Sequence, residues 1–183
     1  MMTGRDAFDK TLANIFFEFP KFRIVYKRDS KLMRAISWGL RVLTLGKMTS
    51  FMTSFHTTIG MTLYAADAWD TTDDAGRTIT LRHELVHMRQ NKRLGRITMG
   101  LAYLFIFFPI GLAYGRMRLE REAYEETLKA LAELRGKGAL TDQRRKDAIV
   151  SLFTGPSYLW MWPFKRSVER WYDRTVTRIL TKN

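Results

Sequence analysis

His83-Glu84-Leu85-Val86-His87 is the stretch whose residue types and spacing demand a particular chemistry. On a helix, side chains at i and i+4 leave from one face, so two imidazoles stand close enough to hold one metal ion, with Glu84 beside them. Neutral imidazole nitrogens suit Zn2+, which keeps a coordination site for water when the protein supplies three ligands. Glu84 is then the candidate to take a proton from that water. The expected reaction is metal-assisted hydrolysis of a peptide bond, with His83 and His87 as metal ligands and Glu84 as general base.

The elements that must position these groups follow from the flanking residues. Thr78 to Leu94 reads as one helix, stopped by Gly95, with an apolar stripe of Leu81, Leu85 and Met88 and a basic one of Arg82, Arg89 and Arg93. The histidines have a face to themselves. Upstream, Phe51 to Ala65 carries no acidic or basic charge and predicts one long or two short strands. Gly60 within it predicts a bulge or a close backbone approach. Thr57 to Tyr64 would either offer its edge to an extended peptide or serve as an ordinary inner strand. Nearer the N-terminus, Asp6 is expected to cap a helix carrying Phe8, Leu12, Ile15 and Phe16, ended by Pro20. A short strand over Phe22 to Tyr26 follows, then a helix from Ser30 to about Gly46 that buries Leu32, Ile36, Leu40 and Leu43.

The third ligand must come from elsewhere. Arg118 to Leu131 predicts a helix with Leu119, Ala123, Thr127, Leu131 and Leu134 on its apolar side. Glu122 and Glu126 share a face at i and i+4, so one can bind metal while the other accepts a hydrogen bond from a ligating histidine. Glu120 lies about 200° around the helix from Glu122, so both cannot face one ion. Solvated i,i+4 pairs, Arg118 with Glu122 and Arg121 with Glu125, are the plainer reading of the same residues.

The helix carrying His83-Glu84-Leu85-Val86-His87, followed by one carrying Glu122-Ala123-Tyr124-Glu125-Glu126, resembles the gluzincin group of zinc metallopeptidases, which share thermolysin-like active-site helices. The resemblance runs from about Thr57 to Leu134. It implies His83, His87 and Glu122 as zinc ligands, Glu84 as general base and Glu126 as the acid behind a ligating histidine. The fold it implies is a mostly helical, zincin-like α+β domain with a small sheet ahead of the motif helix. A donor for the tetrahedral intermediate should complete such a site, and Tyr124, Tyr158, Tyr172 and His56 are the candidates. His56, alone among Thr and Phe, reads better as a structural histidine.

Composition bounds the remainder. The 183 residues suit a single domain, with a catalytic core over about 51–135 and a basic, aromatic helical tail over 136–183. Cysteine is absent, so neither disulfides nor thiolate metal sites are available. The formal net charge of +13 favours an anionic partner, a membrane surface or nucleic acid. Charged residues in the first ten positions argue against a signal peptide and for an intracellular protein. Ile97 to Gly115 is free of charge and long enough to span a bilayer. A straight crossing, however, would carry a downstream ligand roughly 30 Å from the histidines, so a helix that turns near Pro109 and Gly111 is expected, buried or dipping into one leaflet. In the tail, Tyr158 to Phe164 and the arginines after it suit a headgroup interface, or equally a helix packed on the domain with its charges solvated.

Three functional readings follow. The foremost is a zinc endopeptidase acting on a peptide or protein substrate. The others are a membrane-associated binding or assembly protein with a structural metal, and a protease associated with nucleic acid.

Overall fold

The computed structural model describes residues 3–46, 50–95, 113–155 and 161–181, and within these the chain is α+β and mostly helical with one small sheet. It groups into two compact units, residues 1–88 and 89–183. The division falls inside the motif helix.

The first unit opens with α1 (Gly4–Glu18), whose N-cap is Thr3 and not Asp6. Asp6 sits at the third helical position and returns a carboxylate to the Thr3 backbone N–H at 3.1 Å, while the Thr3 hydroxyl oxygen accepts from the Asp6 N–H at 3.1 Å. This capping box satisfies two N–H groups that a helix start otherwise leaves open. β1 (Arg23–Tyr26) and a 3-10 turn (Lys27–Asp29) lead to α2 (Lys31–Leu43), capped by the Ser30 hydroxyl, which accepts from Met33 N–H. The expected burial of α2 is rotated: Met33 and Ser37 are buried, whereas Leu32 is 50% exposed. Periodicity fixes that a helix is amphipathic, but α2 is apolar over so wide an arc that packing chooses which part turns inward. The Leu43 side chain lies outside the described set.

β2 (Thr57–Ile59) and β3 (Thr62–Ala65) form a hairpin through Gly60-Met61, with Gly60 at φ +62°. A two-residue hairpin loop with glycine at its first position is what a primed turn requires, so Gly60 serves a turn and not a bulge. The sheet order is β1-β3-β2, with β1 parallel and β2 antiparallel to the central β3. β2 is therefore an edge strand. A short α3 (Ala68–Thr71) precedes α4 (Asp74–Leu94). Ile15, Phe19, Phe22, Leu63, Ala65, Trp69, Leu81, Leu85 and Met88 form one buried cluster, so strand and helix residues spaced through the whole unit share a single core.

The second unit contains the end of α4, then α5 (Ala113–Arg135), a 3-10 turn (Lys137–Leu140), α6 (Gln143–Thr154) and α7 (Lys165–Thr181). The tail helix is packed: Val168, Tyr172 and Thr175 are buried, and the Tyr172 hydroxyl donates to the Leu140 carbonyl at 3.2 Å. Tyr124, Phe153 and Trp171 make successive ring contacts at 5.4 and 5.5 Å. Its charges are partly paired and partly solvated; Arg178 meets Glu125 at 2.7 Å. Among the described residues no helix is long and apolar enough to cross a membrane. The stretch expected to turn at Pro109 and Gly111 lies, through Leu112, outside the described residues, as does Tyr158.

Candidate metal centre

α4 is built to hold its face rigidly. The Asp73 carboxylate accepts from the Gly76 N–H at 3.1 Å, and the Arg77 guanidinium donates to the Trp69 carbonyl at 3.2 and 3.1 Å. A Cβ on Gly76 would stand 2.6 Å from the Thr72 methyl, so the entry turn is closed to larger residues. Gly95, at φ +80°, ends the helix as the sequence suggests. Between these stops the helix runs 21 residues, from the first unit into the second.

On it, the Nε2 atoms of His83 and His87 are 3.2 Å apart, with ring centroids at 4.9 Å. Two nitrogens each about 2.1 Å from a tetrahedral ion stand about 3.4 Å from one another, so this separation fits a shared metal. Glu84, one residue on and turned about 100° toward the Leu81-Leu85-Met88 core face, is buried.

Lys27 is the unexpected charge beside this face. It is fully buried at the end of β1, donates from Nζ to the Phe51 carbonyl at 2.8 Å, and lies 3.5 Å from the centre of the Phe51 ring. Burial drives its pKa down to about 7, and the negative charge of Glu84 partly restores it. Nothing in the spacing of Lys27 marks it, because a lysine after a short strand ordinarily reads as a solvated turn residue. His56 sits nearby in chemistry: its pKa falls to about 4, first through burial and then through the charge of Lys27. Its Nδ1 accepts from the Ala66 N–H at 3.2 Å, and its ring meets Trp69 edge-on at 5.5 Å. His56 is thus a neutral structural histidine tying the β2 approach to the end of β3, in agreement with its sequence reading. Tyr172 is buried and donates its hydroxyl to the Leu140 carbonyl.

The carboxylates of α5 depart from the expectation drawn from the gluzincin resemblance. Glu122 is turned to the second unit's own surface, where it accepts from the Gln90 amide at 2.9 Å and pairs with Arg93 at 3.2 Å. Gln90 also donates to the Leu119 carbonyl at 3.0 Å. Glu120 is 3% exposed, and among the described residues His83, His87 and Glu120 form the group able to offer one ligand atom each, all within 4.8 Å of one another. The carboxylate in that group is Glu120 and not Glu122. Along α5 itself the buried arc runs through Met117, Leu119, Ala123, Tyr124, Leu128 and Leu131, and Glu120 lies at the middle of that arc while Glu122 lies opposite. Glu126, six residues beyond Glu120, is partly buried.

Two imidazoles and one carboxylate make a zinc donor set with a position left for water or substrate. No protein-family model, curated protein or solved structure matches the chain.

Proposed function

We propose that the protein is a zinc-dependent endopeptidase of gluzincin type, with His83, His87 and Glu120 as metal ligands and Glu84 as general base. The observation that carries this reading is the 3.2 Å approach of the two histidine Nε2 atoms on one helix, with the intervening motif glutamate buried next to them. Zn2+ bound there would polarise a scissile carbonyl and bring the pKa of water to near 7. Glu84 takes the proton of the attacking water and delivers it to the departing amine. β2, as an edge strand, offers main-chain donors and acceptors for an extended peptide, which points to a peptide or protein substrate.

The test combines elemental analysis with hydrolysis of a quenched-peptide library. Wild type should carry one zinc and cleave, and Glu84→Gln should carry the same zinc and not cleave. Cleavage undiminished in Glu84→Gln, or no zinc in wild type after reconstitution, overturns the reading.

A further inference from the structure

α2 turns an apolar face to solvent. Met33 and Ser37 are buried in the first unit, whereas Trp38, Val42 and Leu32 are 71%, 55% and 50% exposed. At about 100° per residue, Trp38, Val42, Ala35 and Leu32 follow one another over about a third of the helix circumference. Arg34 and Arg41 project side by side next to Trp38, both exposed, and Lys31 is exposed at the first turn. None of the three is in an ion pair with another described residue, and Lys31–Leu43 contains no Asp or Glu. Leu45, just past the helix, is also exposed.

We propose that α2 is an interfacial anchor that lies in the plane of an anionic lipid surface, with Trp38, Val42 and Leu32 at the boundary of headgroups and acyl chains and Arg34 and Arg41 on lipid phosphates. Scattered exposed apolar residues are ordinary on a soluble surface; a contiguous helical face rimmed by unneutralised arginines is not. The indole of Trp38 has the apolar body and polar edge that suit the headgroup level. Charge complementarity selects the occupant. An antiparallel two-fold contact with a second copy brings the Arg34 and Arg41 pairs of both chains to the same seam, and nucleic acid provides no apolar phase for Leu32 and Val42. The chain's net charge of +13 adds long-range attraction to the same surface. The inference does not rest on the metal centre.

The experiment is co-sedimentation of the full chain with phosphatidylcholine vesicles, with and without phosphatidylglycerol, alongside light scattering and thermal melting. Wild type should bind the anionic vesicles and bind the zwitterionic ones weakly. Trp38→Lys with Val42→Lys raises the positive charge, so simple electrostatic adsorption predicts stronger binding; insertion of α2 predicts a loss of about tenfold or more. Arg34→Gln with Arg41→Gln should weaken binding to anionic vesicles alone. Undiminished binding by the lysine variant, or no vesicle binding by wild type, overturns the proposal. So does a wild-type dimer that the lysine variant dissociates, which assigns the face to a second copy. A large drop in melting temperature in the lysine variant overturns it as well, because the face is then covered within the chain.

Discussion

Gln90 holds Glu122 by a 2.9 Å amide-to-carboxylate hydrogen bond, on the same carboxylate that Arg93 meets at 3.2 Å. Gln90 is seven residues after His83 and so falls within about 20° of it around α4. Its amide reaches Leu119 and Glu122 on either side of Glu120, which anchors that segment of α5 within the second unit.

Two alanine variants separate the carboxylates. Glu120→Ala should reduce zinc from about one equivalent to near none, because two imidazoles alone bind weakly. Glu122→Ala should keep its zinc and lose roughly 0.5–1 kcal/mol of stability, since a half-exposed ion pair and one hydrogen bond contribute that much. Elemental analysis and denaturant melts read both, and the reverse zinc pattern restores Glu122.

Replacing Glu84, the proposed general base, isolates chemistry from binding. Glu84→Gln preserves shape and should lower kcat by about 10²-fold to 10⁴-fold with little change in zinc content. A burial-driven collapse would appear in circular dichroism, which should instead match wild type.

Lys27 makes stability depend on alkaline pH. Its folded pKa of about 7 lies below the unfolded value near 10.5, so between those limits the unfolded chain holds a proton that the folded chain lacks. Stability from this group therefore rises as pH increases from 7 toward 10.5, by on the order of 4 kcal/mol. In Lys27→Met, studied with chelator present, that rise should be missing from the pH series of unfolding free energies.

His56 acts in the acid range. With a folded pKa of about 4 against 6.5 unfolded, it withholds a proton that the unfolded chain accepts, so its contribution is lost as pH falls from 6.5 toward 4. His56→Gln retains an acceptor for the Ala66 N–H and cannot titrate. The variant should melt less steeply with acidification than wild type, by about 3 kcal/mol across that window.

At the N-terminus, Thr3→Ala removes the capping hydroxyl and should cost about 1 kcal/mol in denaturant unfolding. Asp6→Ala should cost a similar amount and should not add fully to the first, because the two side chains bond each other's backbone.

The helices were legible where one narrow stripe decides their orientation. α4 declared its histidine face, its core face and its stop at Gly95 in the sequence, and the structure keeps all three. α2 did not, because it carries apolar residues over a broad arc and local periodicity does not rank the sectors of such an arc, whereas the apolar side expected of α5 is buried at Leu119, Ala123 and Leu131. Glu120 was legible on the same terms: a glutamate centred among Met117, Leu119, Ala123, Tyr124 and Leu128 is a charge placed on the buried side of its helix, and it is 3% exposed. Lys27 was illegible because its burial depends on Phe51, reached only through the tertiary fold.

The sheet also sets an order of assembly. β2 and β3 are joined by two residues and can zip within microseconds, but β1 meets β3 in parallel, pairing Arg23 with Thr62 across the whole of α2. Closing that span costs chain entropy before any pairing repays it. The hairpin and α4 are thus the early partners, and β1 docks late. On this ordering, a destabilising change in β1, such as Val25→Ala, accelerates unfolding and leaves the refolding rate nearly untouched.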